Sequence, residues 1–188
     1  MKLIKLIILT CSVFINIAAT ETQEKLEFDY LGEKLKFVWD ESESIARVSF
    51  FINEQVAGEI EYHKLQNKNL NWYYITNLYI KPEYRNLGYV QNFSEIVLVK
   101  IILSGAKKIF AQPFPFEKTG ISQVESKERL PILIHLYKIV GFKLVSATKK
   151  KEYSDLEKTE TLKADYLMEL DAREYLSKFY GLLIKSKL

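Results

Sequence analysis

Four runs of apolar and polar residues alternate at period two before any helical spacing begins. They read LEFDYLG from Leu26, EKLKFVW from Glu33, SIARVSFFI from Ser44 and QVAGEIEYHKL from Gln55. Alternation puts every second side chain on one face of a strand, so each run predicts a half-buried β-strand. Asn53-Glu54 splits the third and fourth runs as a hairpin turn would. A polar loop, Leu65 to Asn71, leads to WYYITNLYI, whose β-branched and aromatic residues predict a fifth strand ending at Lys81-Pro82. Consecutive strands joined by short turns pair antiparallel, which restricts the chain to a fold built on an antiparallel sheet.

Helical spacing then takes over. Phe93, Ile96, Val97, Lys100 and Ile101 recur at three and four residues, and Gly105 stands where a helix ends. AKKIFAQP predicts a short strand, and residues 113–129 a loop. Pro131 is expected at the first position of a helix that Gly141 ends. FKLVSAT and LKADYLMEL predict two strands joined by a Lys-rich hairpin loop over residues 149–160. AREYLSKFYGLLIKSK predicts a terminal helix over about 172–186. The expected class is α/β (α+β), with a mostly antiparallel sheet and one parallel crossover.

Residues Met1–Ala19 read differently. Lys2 and Lys5 precede an apolar run that ends in small residues, the order of a secretory signal peptide. The expected organisation is a signal peptide over residues 1–19 and one domain over residues 20–188. An exported location follows (periplasm, secretion or an endomembrane lumen), with membrane contact only through an uncleaved N-terminal segment. Cleavage after Ala19 removes the only Cys, Cys11, and with it any thiol chemistry. The 27 Lys and Arg against 24 Asp and Glu then fall to a net charge of +1. So small a charge gives little support for binding nucleic acid.

The stretch Lys81 to Val90 joins the fifth strand to the first helix through Gly88. Unpartnered N–H groups of a first helical turn, with the helix dipole, favour an anion and above all a pyrophosphate. Gly88 lets backbone approach a phosphate, and Arg85 adds a forked cation. A turn that needs Gly beside a solvated Arg is the plainer reading of the same residues. A second motif, Leu136-Tyr137-Lys138-Ile139-Val140-Gly141-Phe142, lies about fifty residues on.

Together the two motifs resemble the GNAT superfamily of N-acetyltransferases. Leu78-Tyr79-Ile80-Lys81-Pro82-Glu83-Tyr84-Arg85-Asn86-Leu87-Gly88 is similar to its strand and phosphate loop. Tyr137 to Phe142 is similar to its later helix end, and Tyr166 to Leu170 to its closing strand. The hairpin around Gln55 to Gly58 also fits, so the resemblance covers about residues 44–170. It implies a GNAT-like mixed, twisted sheet with the parallel crossover at a cofactor cleft, helices on both faces, and an extra C-terminal helix. It implies acetyl-CoA as donor and an amine acceptor that attacks directly. Arg85, Asn86, Leu87, Gly88, Tyr89 and Val90 would form the phosphate loop. Leu78, Tyr79 and Ile80 would lie along the pantetheine arm, and Tyr137 would be the general acid for the leaving thiolate. A core-lining helix Tyr is the alternative for Tyr137. Glu59, Glu61 and His63 are candidates for the base, without a choice among them. His135 is expected as a packing or surface residue.

The sequence departs from the family pattern in three places. Val90 stands where a small residue is usual, and Leu130 where an Asn often precedes the later helix. Only Asp40 to Glu43 separates the second and third strands, where the family carries one or two helices. Two other functions therefore stand beside the enzyme. One is a non-catalytic module that keeps the fold without the donor. The other is a surface-binding protein using Lys149, Lys150 and Lys151.

Overall fold

A computed structural model describes residues 23–41, 44–67, 69–114 and 123–185. The expected signal peptide lies outside the described residues. Five strands come first, four as the alternation predicts and the fifth as its β-branched and aromatic residues predict: β1 (Gln23–Tyr30), β2 (Glu33–Asp40), β3 (Ala46–Ile52), β4 (Gln55–Lys64) and β5 (Trp72–Ile80). The helix α1 (Tyr89–Leu103) leads to β6 (Lys108–Ala111), α2 (Gln123–Ile139), β7 (Lys143–Leu144), α3 (Ala147–Glu157), β8 (Met168–Asp171) and α4 (Ala172–Lys185). The strands follow the order β1-β2-β3-β4-β5-β6-β8-β7 in one mixed sheet. The pair β5 and β6 is parallel, from Trp72↔Lys108 to Ile75↔Ala111. The pairs β1·β2, β2·β3, β3·β4, β6·β8 and β7·β8 are antiparallel.

The chain forms two compact units, and the boundary between them runs through β5 and α1. The first holds the described residues up to His63 together with Thr76–Lys100. Alternate residues of β2 and β3 (Leu35, Phe37, Trp39; Val48, Phe50, Ile52) are buried, together with Phe93 of α1. Phe50 stacks on Phe93 at 4.7 Å, and Phe37 meets Phe93 at 5.6 Å. Such ring pairs add roughly 0.5–1.5 kcal/mol each beyond the area they bury. From Phe93 to Val99 every residue of α1 is buried, as expected of a helix apolar nearly all round. Both connections within the β1–β4 meander that have two residues take positive φ, at Leu31-Gly32 and Asn53-Glu54. These are the turns whose twist suits tight hairpins.

The second unit holds Lys64–Ile75 and the described residues from Ile101 onward. Its core includes Trp72, Phe110 and Tyr153, packed edge to face at 5.2–5.4 Å, with Leu162 and Leu167. Gly141 ends α2 in the left-handed region (φ 107°), with Gly141 N–H donating to Lys138 O and Phe142 N–H to Tyr137 O. That double bond is the Schellman arrangement, and Gly105 ends α1 in the same way.

Three sequence expectations are corrected in this unit. Residues 149–157 are not a hairpin loop but most of α3. Ser146 caps that helix by accepting from the Lys149 N–H. Its composition is polar, and only Tyr153, Ser154 and Glu157 are buried, so no apolar stripe reveals it. The helix α2 starts at Gln123, so Pro131 lies inside it and residues 123–129 are helical. The upstream turns (QVESKER) carry no apolar period, which hid them. Leu130 accordingly lies within the helix rather than before it. Of the two strands expected after α2, FKLVSAT contributes only two residues, and LKADYLMEL begins in a 3₁₀ turn (Glu160–Lys163) and becomes strand only at Met168.

Two of the three lysines of α3, Lys149 and Lys150, have partners within the unit. Lys149 Nζ reaches Glu169 at 3.1 Å, and Lys150 Nζ donates to the carbonyls of Ala164 and Asp165. Glu169 also accepts from the Tyr153 hydroxyl at 2.6 Å and from Lys108 Nζ at 3.3 Å. Burial works to raise its carboxyl, but hydrogen bonds from Tyr153 and Lys149 and the Lys108 charge outweigh it and hold it below the ordinary 4.5. A lowered carboxyl stabilises the fold above its unfolded value and loses that contribution as pH falls through its folded value. Urea midpoints should therefore drop below pH 4.5, and Glu169→Gln should flatten that acid limb while lowering stability at pH 7.

Candidate active site

The strand end, the loop and the first turn of α1 all belong to the first unit. At Gly58 the backbone of β4 comes unusually close to β5. A Cβ there would lie 2.4 Å from the Tyr79 carbonyl oxygen and 2.6 Å from Ile80 Cδ1. Ala57 is the extra residue of a bulge between Phe50↔Gly58 and Phe51↔Val56, and its carbonyl accepts the Lys81 N–H at 2.9 Å. These two features fix where β5 ends. A short 3₁₀ turn, Pro82–Tyr84, follows, and the Tyr84 hydroxyl reaches Gln55 Oε1 at 3.0 Å.

Arg85 then folds back. Its Nε donates to the Ile80 carbonyl at 2.9 Å, and its guanidinium carbon stands 5.9 Å from the centre of the Tyr79 ring. Part of this side chain therefore holds the strand end, a role that the sequence did not suggest. Asn86 (φ 62°) and Gly88 (φ 78°) both take left-handed backbone, and Asn86, Leu87 and Gly88 are exposed. A Cβ on Gly88 would meet nothing within 4 Å, so the loop faces open space. Tyr89 and Val90 open α1 and are half-buried, and no acidic residue occupies its first turn. An open loop, left-handed turns and a helix start without acidic side chains suit a phosphate group.

Tyr89 points elsewhere. Its hydroxyl bonds to the carboxylate of Glu33, at the start of β2. Desolvation and then this bond push the phenol up to about 12. The pair is 56 residues apart in sequence, and no local signal marks it. Glu59, Glu61 and His63 share one half-buried face of β4. Glu61 is held by Arg47 at 2.7 Å, and Asn77 Nδ2 lies 3.4 Å from Glu59 Oε1. Burial pushes the His63 imidazole down, towards the neutral form that can accept a proton. His135 is exposed on α2.

Tyr137 belongs to the second unit. It is buried in the last turn of α2, with Phe142 edge-on at 5.3 Å. Burial, with Tyr74 adding to it, raises its phenol well above the ordinary 10.0. It is neutral and carries its proton at physiological pH. A raised phenol stabilises the fold below its unfolded value, and that contribution disappears as pH climbs through the folded value. With Tyr89 and Tyr137 both raised, chemical stability should hold up to pH 10 and fall steadily as pH approaches 12. Tyr89→Phe should remove part of that slope in urea titrations.

Among the described residues no cluster of His, Cys, Asp and Glu could hold a metal ion, and no helix is long and apolar enough to cross a membrane. No protein-family model matches the chain, and no curated protein matches its sequence. Solved structures do match. A chimera of the spermidine N-acetyltransferase SpeG from Vibrio cholerae and hSSAT aligns with TM-score 0.50 and 16% identity, covering 73% of this chain and 71% of that chain. Mutant forms of the spermidine/spermine N-acetyltransferase SpeG from Vibrio cholerae align with TM-score 0.50 and 15% identity, covering 73% of each chain. A GNAT-family acetyltransferase from Staphylococcus aureus aligns with TM-score 0.46 and 12% identity over 70% of each. At such identities the likeness is one of fold, and the chain has the fold of the GNAT acetyltransferases.

Proposed function

We propose that this protein is an N-acyltransferase that moves the acetyl group of acetyl-CoA to an amine. The observation that carries the reading is the open loop between β5 and α1, with left-handed Asn86 and Gly88 and no acid in the first helical turn. Backbone N–H groups of that loop would take the pyrophosphate, with Arg85 beside them. Leu78 and Tyr79 lie past the end of the parallel ladder at Ile75, so backbone there would take the pantetheine arm.

The donor supplies an activated thioester carbonyl. A neutral amine attacks that carbon, the C–S bond breaks, and the sulfur leaves with a proton. Holding the two reactants together supplies most of the acceleration. A backbone N–H polarising the carbonyl oxygen adds electrostatic stabilisation. The resemblance would make Tyr137 the donor of the proton to sulfur, a task for which a neutral phenol is the required form. Glu59, Glu61 and His63 remain the candidates to take the proton of the amine.

Export through Met1–Ala19 belongs to the same proposal. The N-terminal sequence of the protein recovered from its native cells would test it, with a start near Thr20 expected. For the donor, calorimetric titration with acetyl-CoA should give saturable binding and a raised melting temperature. No binding at millimolar acetyl-CoA by folded protein would favour the non-catalytic module.

A further inference from the structure

We propose that β1 is a self-complementary edge through which two copies of this chain pair antiparallel, with the two-fold axis at Glu27. Among the described residues β1 is the first strand in the sheet order, and its eight-residue register with β2 runs without a shift. The turn decides which of its backbone groups face outward. Leu31 and Gly32 have φ of 52° and 84°, and Tyr30 stands opposite Glu33. In a two-residue turn of this kind the flanking pair exchanges both backbone hydrogen bonds. Alternation then turns Phe28, Leu26 and Glu24 towards β2 and aims the N–H and C=O of Lys25, Glu27 and Asp29 away from it. Lys34, opposite Asp29, agrees with this phase. Its N–H goes to Asn53 Oδ1 at 2.9 Å, and its C=O accepts the Asn53 N–H at 2.8 Å, both away from β1.

The three outward-bonding residues form their own complement. With Glu27 opposite the partner's Glu27, Lys25 faces the partner's Asp29, and Asp29 faces the partner's Lys25. All of these are hydrogen-bonding pairs in that register, so backbone and charge select the same alignment. The central like charges are offset within each copy, because the Glu27 carboxylate lies 3.5 Å from Lys34 Nζ and 3.9 Å from Lys36 Nζ. On the opposite face of the strand the same register sets Leu26 against the partner's Phe28. Both positions are half-buried, and Phe28 already stacks on Phe37 at 6.0 Å. Edge strands that stay single are commonly blunted by Pro, by a bulge or by charged side chains. β1 has no Pro and no bulge, and the charges of Lys25 and Asp29 match those of a second copy in this register. The partner is therefore a second copy of this chain, and the inference does not depend on donor binding.

Sedimentation velocity over a concentration series tests it. The protein should pass from monomer to dimer as concentration rises. Glu27→Pro removes an N–H that β2 does not use, so the fold should survive by circular dichroism while the dimer is lost. Lys25→Asp should weaken the dimer about tenfold through two like-charge pairs. Adding Asp29→Lys to it should restore the wild-type constant. A protein that stays monomeric at the highest soluble concentration overturns the proposal. So does a dimer indifferent to Glu27→Pro, or a double swap no tighter than Lys25→Asp alone. If Glu27→Pro does not fold, the charge-swap pair decides.

Discussion

Gly58→Ala should destabilise the protein by about 3 kcal/mol, the upper part of the range for forcing an extra methyl into packed structure. The added carbon would lie 2.4 Å from the Tyr79 carbonyl oxygen, which is backbone and cannot swing aside as a side chain would. To accept it, β4 and β5 must separate where Ala57 receives the Lys81 N–H. Chemical denaturation measures the loss. The same substitution should also weaken acetyl-CoA binding at temperatures where the variant is folded, because the end of β5 sets the start of the loop. A variant as stable as wild type would show that the strands give way at little cost and that the close approach is incidental.

Gly88→Glu should weaken acetyl-CoA binding at least tenfold, or ~1.4 kcal/mol and more. Two effects combine. A side chain at φ 78° strains the backbone, and a carboxylate is added where the helix start would hold a phosphate. Open space around Gly88 lets the side chain fit without a clash, so the fold should persist. Comparison with Gly88→Ala separates strain from charge. Alanine should lose only the strain component, and lysine at the same position should recover part of the affinity. Equal binding by wild type and Gly88→Glu would remove the loop from the donor site.

The first four strands were legible because apolar and polar residues alternate along them at period two, and the fifth because it is rich in β-branched and aromatic residues. α1 was legible because its apolar spacing and Gly105 agree. α3 was not, since a helix that buries only Tyr153, Ser154 and Glu157 carries no stripe to detect. Pro131 misled because its usual place is the first turn, and the turns before it in α2 are polar. At the candidate site the loop residues could be read from the order of strand, Gly and helix. The bond from Tyr89 to Glu33 and the use of Arg85 Nε on Ile80 could not. Both depend on partners chosen by the folded backbone, one of them 56 residues away.

The tight primed turns of the β1–β4 meander also bear on how the chain reaches this structure. Partners in β1·β2 and β3·β4 lie close in sequence, down to Tyr30↔Glu33 and Ile52↔Gln55, so little loop entropy is lost in joining them. The parallel pair β5·β6 must wait for the whole of α1, since Trp72 meets Lys108. Contacts of short range form quickly and those of long range slowly. The meander should therefore gain hydrogen-exchange protection first during refolding, and β5 pairs with β6 only afterwards. A nascent chain would then hold the four-stranded meander before β5 has gained its parallel neighbour.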